Sequence, residues 1–372
     1  MNIAIVCYPT FGGSGVLATE LGKALADKGH NIHFITYQQP VRLSGFHANI
    51  FYHEVRVPTY PLFDYPPYET ALASTMVDVV NNHNIDILHV HYAIPHAAAA
   101  YMAKQILAKQ NKTIPVITTL HGTDITLVGR DETYSPVVTF SMVESDVLTA
   151  VSNNLKEETY KNFDITKPIE VIHNFVDVQR FNKKPVDAFK KLIAPNGEKI
   201  IVHASNFRKV KRVEDVLDTF LLLNKEIPSK LLFLGDGPER NSIERRAREC
   251  DDCAEVKFLG KQEQMEDILP IADLFILTSE YESFGLAALE AMAAEVPVIS
   301  TNAGGLPEIN IDGYCGYMSN IGDVQDMAKN AISILKEEET HRQFKANALA
   351  QAKKFDISNI VPIYEQLYQR LM

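Results

Sequence analysis

The sequence predicts two α/β domains, each a parallel sheet wound with helices on both faces. Three observations carry that prediction. The chain has 372 residues, more than the roughly 250–300 at which a single hydrophobic core stops growing. Short apolar runs alternate with helical patterns up to about Ile172, and the alternation begins afresh at Ile200. A glycine-rich turn, Gly12-Gly13-Ser14-Gly15, directly follows the first apolar run, as in a βαβ unit that binds at the carboxyl end of its first strand.

In order, Ile3–Cys7 reads as a strand and Val16 to Lys28 as a helix that Gly29 stops; Ile32–Tyr37 is the next strand. Further β-type runs lie at Ile87–Val90, Val116–Thr119, Val147–Ala150 and Ile169–Ile172, with helical patterns such as Thr70–Asn82 and Ala97–Lys109 between them. Such alternation predicts a parallel sheet with helices on both faces. The second series has strands at Ile200–Ala204, Leu231–Leu234, Val256–Leu259, Leu274–Thr278 and Val298–Ser300. Its helices are Val213–Leu223, Glu239–Arg248 and Phe284 to about Ala294. The polar stretch Asn174–Pro195, with Lys183, Lys184 and Pro185, places the linker near its start, so the domains are expected to cover 1–178 and 179–356. Two doubly wound domains bind ligands at their strand ends, and a cleft between them is the expected site.

Composition narrows the function. A net charge of −11, with 12 Lys and Arg against 17 Asp and Glu in the first 180 residues, excludes nucleic acid as the main partner. No run approaches the roughly 20 apolar residues needed to span a membrane. The opening Met1–Cys7 lacks a signal peptide's basic and apolar regions, which predicts a cytoplasmic protein. Cys250 and Cys253 form a lone CxxC, read as surface thiols rather than as half of a zinc site.

Four groups can carry chemistry. In Glu282–Glu290 (ESFGLAALE), Ser283 is the expected N-cap of a helix starting at Phe284. The open amides of Gly285, Leu286 and Ala287 would then hold phosphate. Glu290 suits a bidentate grip on two ribose hydroxyls, and Glu282 suits sugar hydroxyls. An ordinary capped helix is the alternative. The turn Gly12–Gly15 lacks the full dinucleotide spacing, and Tyr37 and Gln38 stand where a ribose-binding acid would be. A backbone wall against a phosphate or small anion remains. The cluster Arg208, Lys209, Lys211 and Arg212 follows a strand, where cations neutralise a diphosphate leaving group; a solvated charged face is its alternative. Among the histidines, His89 and His91 alternate on one strand, which is weak evidence for a metal. His121, at a strand end, is better suited to a sugar hydroxyl.

The joint pattern resembles the retaining glycosyltransferases of family 4. It consists of Glu282 and Glu290 in an E-x7-E spacing, the GDGP turn Gly235–Pro238 and the pair Gly304-Gly305. The resemblance covers essentially the whole chain and implies the GT-B fold: two Rossmann-like domains facing across a cleft, with a C-terminal helix crossing back to the first. Residues 357–372 suit that helix. Within the family, CYPTFGGSG, DILHVHYAIPH, TTLHGTDIT and SNFRKVKRVEDV resemble the members that transfer N-acetylglucosamine from UDP-N-acetylglucosamine to L-malate in bacillithiol biosynthesis.

By that likeness the reaction retains the α configuration and uses no metal and no cofactor beyond the donor. Glu290 binds ribose, Glu282 the sugar, Lys211 and Arg208 the diphosphate, and Lys261 and Gln262 the uracil. Gly13, Ser283, Phe284, Gly285 and Leu286 complete the donor site. Ser14, Tyr92 and Thr119 contact the acceptor, and His121 the sugar 6-hydroxyl. Many family members carry an arginine five residues before the motif lysine; Asn206 stands there, and Arg208 is the nearest substitute. The likeness implies no general base, the departing β-phosphate taking the acceptor's proton. Arg42, Arg208 and Lys211 are the cations available to the malate carboxylates. The rival readings are a family-4 enzyme with a lipid or glycan acceptor, a UDP-N-acetylglucosamine 2-epimerase, and a sugar-nucleotide sensor. The sequence is compatible with a homo-oligomer.

Overall fold

The computed structural model describes residues 1–10, 12–58, 61, 64–182 and 187–372. Phe11 of the glycine turn and Lys183, Lys184 and Pro185 of the linker lie outside the described residues. The chain divides into two compact units, one of Met1–Asn174 with Ser358–Met372 and one of Phe175–Ile357; the sequence placed the divisions at 178 and 357.

The first unit holds seven parallel strands: β1 Asn2–Val6, β2 Asn31–Thr36, β3 Ile50–Glu54, β4 Ile87–His91, β5 Val116–Leu120, β6 Val147–Ala150 and β7 Ile169–Val171. They lie in the order β3-β2-β1-β4-β5-β6-β7. The reversal between β1 and β4 is a topological switch point, where the loops after those strands splay apart and make room for a ligand. The second unit repeats the plan with β8 Lys199–Ser205, β9 Ser229–Gly235, β10 Val256–Gly260, β11 Leu274–Leu277, β12 Val298–Thr301 and β13 Gly316–Ser319, in the order β10-β9-β8-β11-β12-β13. Its switch point lies between β8 and β11.

Central strands in both sheets are near-continuous apolar runs because helices cover both faces. Helix α1 (Gly13–Asp27) presses Gly22 onto Ile32 and Phe34 of β2, where an added Cβ would come within 2.4 Å of the Phe34 ring. Helix α2 (Tyr68–His83) buries Leu72, Ala73, Met76, Val79 and Val80 against the other face, beside Ile35, Leu88 and Val90.

The C-terminal helix, Ile357–Gln369, belongs to the first unit. It buries Ile360, Val361, Tyr364, Leu367 and Tyr368. Tyr368 Oη pairs with His89 Nδ1 at 2.8 Å, and Glu365 bonds Lys28 Nζ at 2.7 Å and His30 Nε2 at 3.0 Å.

Several elements depart from the sequence reading. Strands β3 and β13 were not anticipated. β3 is an edge strand whose residues are all at least partly exposed, so it lacks the apolar pattern of its neighbours. β13 opens on Gly316, where a Cβ would meet Val298 O at 1.9 Å; the strand needs a residue with no side chain. The helix of the ESFGLAALE segment starts at Leu286, not Phe284. Cys250 and Cys253 are disulfide-bonded, not separate surface thiols: a 3-10 turn over Asp251–Cys253 brings their Cα atoms to 5.4 Å, within bonding reach. Among the described residues, no helix is long and apolar enough to cross a membrane.

Candidate active site

Two half-sites sit at the carboxyl ends of the two sheets. In the second unit, β8 ends at Ser205 and the chain turns through Phe207, buried beneath the GDGP turn. Gly235 has φ +121° and an added Cβ would lie 1.8 Å from Ser205 O; at Gly237 it would lie 2.7 Å from Phe207 O. The GDGP turn therefore clamps the loop that leads to the basic cluster. That loop closes in a short 3-10 turn, Lys209–Lys211, held by Thr278 Oγ1, which donates to the carbonyls of Lys211 and Arg212 at 2.9 Å each.

Lys211 and Glu282 meet there. Lys211 Nζ lies 2.5 Å from Glu282 Oε1, and Ser279 Oγ donates to the same oxygen at 2.8 Å. Both charged side chains are mostly shielded, at 17% and 15% exposure. Arg208 is exposed and makes no ion pair among the described residues. Arg212 is engaged elsewhere, bonding Asp215 Oδ2 at 2.6 Å and Glu280 Oε1 at 3.0 Å. The four-cation cluster thus separates into Lys211 on Glu282, Arg212 on its own helix, and Arg208 and Lys209 toward solvent.

The helix start differs from the expectation. Gly285 is the N-cap, with φ +94° and no side-chain cap. A left-handed residue cannot belong to the first right-handed turn, so Ser283 is not the cap. The open amides are those of Leu286, Ala287 and Ala288. Gly285 has a packing reason as well: an added Cβ would meet the Leu306 side chain at 2.5 Å. Phe284 is buried edge-on against Phe355, ring centroids 5.6 Å apart, which leaves its backbone alone to face a ligand. Glu290 is buried at 8% exposure, just over one turn into the helix. Gly304 (φ +59°) and Gly305 support Glu282 from behind: Gly305 N donates to Glu282 O at 2.7 Å, and a Cβ on Gly304 would lie 2.1 Å from that oxygen. Lys261 is exposed just past β10, and half-buried Gln262 donates from Nε2 to Leu259 O at 2.6 Å.

Two residues not singled out from sequence belong to this half-site. Ser279 holds Glu282, and His203 lies beneath it on β8. His203 Nε2 pairs with Ser205 Oγ at 2.8 Å and Nδ1 with Ile276 O at 2.9 Å. Burial pushes His203 down to about 4, with the Lys211 charge lowering it further and Glu282 opposing. It is a neutral strut under the ion pair. A histidine in a strand of apolar neighbours is the signal that could have found it.

In the first unit, the glycine turn feeds α1, with Gly13 exposed at its first position and Gly15 buried. An added Cβ on Gly15 would come within 2.4 Å of Tyr8 O. Ser14 Oγ bonds Tyr92 Oη at 2.7 Å, which ties the loop after β1 to the loop after β4. Tyr92 has φ +82°, a strained value for a side-chain-bearing residue, and its N–H donates to Thr119 O at 2.9 Å. His121, half-buried after β5, packs 5.0 Å from both the Tyr92 and His91 rings. Its Nε2 pairs with His91 Nδ1 at 2.8 Å.

Ser14, Tyr92 and His121 therefore converge. Thr119 does not join them at the surface. It is fully buried, its hydroxyl shared between His89 Nε2 at 2.8 Å and Thr149 Oγ1 at 2.7 Å. Direct acceptor contact was expected of Thr119; here its side chain is enclosed, and its carbonyl accepts from Tyr92 N. Arg42 is half-buried with φ +60°.

Burial makes these histidines neutral. His89 and His121 are lowered to about 3 and His96 to about 4. His91 lies well below the ordinary histidine value, through burial and then its histidine neighbours. Asp124 is pushed the other way, up to about 6, by burial that outweighs hydrogen bonds from Ala93 N and Gly122 N. His121 can thus donate or accept a neutral hydrogen bond, which suits a hydroxyl better than a phosphate.

Residues 11–180 match the family model described as Glycosyltransferase Family 4, and residues 186–351 match that of Glycosyl transferases group 1. The N-acetyl-alpha-D-glucosaminyl L-malate synthase of Bacillus anthracis is 46% identical over 370 residues, 99% of this chain and 96% of its own. The chain belongs to glycosyltransferase family 4. More distant relatives of this glycosyltransferase include a putative glycosyltransferase, EpsD, of Bacillus subtilis, 24% identical over 83% of the chain and 82% of its own. Among solved structures, Anabaena HepE in complex with UDP and glucose superposes with a TM-score of 0.82 at 19% identity, over 99% of both chains. Sucrose-phosphate synthase from Thermosynechococcus elongatus gives 0.80 at 21%, over 100% of this chain and 99% of that one. These two likenesses bear on the fold alone, that of GT-B enzymes with two Rossmann-like domains.

Proposed function

We propose that this glycosyltransferase moves N-acetylglucosamine from UDP-N-acetylglucosamine to the hydroxyl of L-malate, retaining the α configuration, as the first step of bacillithiol biosynthesis in the cytoplasm. The observation that carries the reading is the 46% identity to the N-acetyl-alpha-D-glucosaminyl L-malate synthase of Bacillus anthracis along essentially the whole of both chains. A lipid or glycan acceptor and a 2-epimerase have no comparable support.

The geometry supports a division of labour. The C1–O bond to the β-phosphate breaks as the malate hydroxyl forms its bond to C1, and the hydroxyl proton passes to the departing phosphate oxygen. Lys211 Nζ, now paired with Glu282, would neutralise the charge that grows on that phosphate, and the open amides of Leu286, Ala287 and Ala288 would add fixed donors. Glu290 would take the ribose hydroxyls and Glu282 the sugar, while Lys261 and Gln262 would flank the uracil. Ser14, Tyr92 and His121 offer neutral hydrogen bonds to the acceptor and the sugar 6-hydroxyl, with Gly13 as the backbone wall. No catalytic metal or further cofactor enters this scheme. Arg208, exposed and without an ion pair among the described residues, is the cation best able to turn to malate or diphosphate.

The test is UDP release from UDP-N-acetylglucosamine with and without L-malate. Release that requires malate, with one new α-glycoside per UDP, is the expected result. Release indifferent to malate would overturn the acceptor assignment, and formation of the manno epimer would favour the epimerase.

A further inference from the structure

On the far strands of the first unit lies a cluster of chemistry that glycosyl transfer does not use. His33 of β2, His53 of β3 and His83 at the end of α2 each offer one ring nitrogen, and the three nitrogens lie within 4.8 Å of one another. We propose that these three imidazoles bind a divalent transition-metal ion of the zinc class and clasp the edge strand β3 to the carboxyl end of α2.

The register explains why they meet. β2 pairs in parallel with β3 so that Ile35 faces His53 and His33 faces Phe51. Partners across a parallel pair project to the same face, which places His33 and His53 diagonally on one side of the sheet. That is the face on which Ile35 packs with α2, and His83 closes the triangle from the helix end. The ring centroids are separated by 5.2 Å (His33–His53), 4.9 Å (His33–His83) and 4.9 Å (His53–His83). Three imidazoles on a tetrahedral zinc, with Zn–N of about 2.0–2.1 Å, have centroids about 5.2 Å apart and nitrogens about 3.4 Å apart. The rings are already spaced for this, and His33 Nδ1 and His53 Nε2, at 2.9 Å, need to part by about half an ångström to admit the ion.

His33 Nδ1 and His53 Nε2 lie 2.9 Å apart, sharing one hydrogen. A metal takes that hydrogen's place, the donor imidazole then carrying its proton on the other ring nitrogen. His33 is buried, His53 half-buried and His83 exposed, so the site has a fixed floor and an open fourth position for water. Metal binding requires neutral imidazoles with a lone pair directed at the ion. None of the three residues lies in the loops after β1, β4 and β5 that carry the half-site of this unit. The ion is accordingly a structural one.

The experiment titrates the full-length chain with zinc sulfate against a chromogenic chelator near neutral pH, in a Cys250→Ser/Cys253→Ser background that removes thiolate binding. One equivalent of zinc per chain is expected, with a rise in Tm on zinc addition. His53→Ala and His83→Gln are each expected to weaken that equivalent about 100-fold and to abolish the Tm rise. His83 is exposed on a helix end, so His83→Gln is expected to keep the wild-type circular dichroism and the wild-type rate of UDP release. Failure to bind an equivalent of zinc, or an equivalent retained in both variants, would overturn the proposal.

Discussion

Replacing Lys211 by alanine tests the donor half-site most directly. In the structure its ammonium lies 2.5 Å from Glu282 Oε1, and both side chains are about five-sixths shielded. Two effects follow, and they separate. The first is on stability. Glu282 loses its cation but keeps the Ser279 hydroxyl at 2.8 Å. An exposed pair is worth about 0–1 kcal/mol and breaking a fully buried one costs about 3–5, so this partly shielded pair implies a loss of about 1–2 kcal/mol. For a unit of this size that is roughly 2–8 °C in Tm. The second effect is on turnover. A fixed group that stabilises charge developing on a leaving group is worth about 2.7–4 kcal/mol, or about 100- to 1000-fold in kcat. UDP release at saturating donor and acceptor, with thermal unfolding in parallel, reads both. The double variant Lys211→Ala/Glu282→Gln removes the unpaired carboxylate and is expected to regain most of the stability but none of the turnover. A Lys211→Ala enzyme with kcat within threefold of wild type would refute the assignment, whatever its Tm.

Glu290→Gln keeps the shape of the helix but weakens charge-assisted acceptance from two ribose hydroxyls; an increase of about 10- to 100-fold in donor KM, with kcat largely kept, is expected, and an unchanged KM would remove Glu290 from the ribose site. Gly304→Ala places a Cβ 2.1 Å from Glu282 O at a residue with φ +59°; the backbone under Glu282 must move, so both kcat and Tm are expected to fall, and a variant equal to wild type in both would exclude the strut. Stability is expected to drop on acidification. His89, His96 and His203, at about 3, 4 and 4, stay neutral in the fold while their unfolded forms take up protons below about pH 6.5. The unfolded state therefore gains protons first, and stability falls with pH between about 6.5 and 4. Asp124, raised to about 6, acts in the opposite sense from about pH 6 to 4 and offsets one histidine. The lowered histidines outnumber Asp124, so the net effect of acidification in that window is a loss of stability, and a Tm that stayed level from pH 6.5 to 5 would refute it.

Much of the fold was legible because central strands of a doubly wound sheet are buried on both faces and need apolar runs. β1, β4, β5, β8 and β11 all announce themselves in this way. β3 could not: at the sheet edge, Phe51 and Tyr52 stay exposed and His53 answers to neighbours on β2 and α2 rather than to a core. Helix starts were harder still. Ser283 looked like a cap because serine commonly is one, but Gly285 must fit beneath Leu306 in a left-handed conformation, and that contact spans 21 residues of chain. No local pattern contains it.

The site divides along the same line between local and distant causes. Glu282, Glu290 and Lys211 stand near strand and helix ends that the alternation itself locates, so residue type plus position made them candidates. Ser279 and His203 act by holding those residues, and their partners come from other strands: His203 bonds the carbonyl of Ile276, 73 positions away. Thr119 shows what a motif leaves out. Its hydroxyl is turned inward to His89 and Thr149, while Tyr92, half-buried just after the neighbouring strand, reaches Ser14. A motif therefore names the segment that forms a site, and the pleat decides which of its residues can touch the ligand. On that reasoning Tyr92→Phe, which removes the hydroxyl bonded to Ser14, is expected to raise the KM for malate more than Thr119→Ser, which preserves the buried network; the reverse order would mean that the acceptor reaches deeper into the sheet than Tyr92.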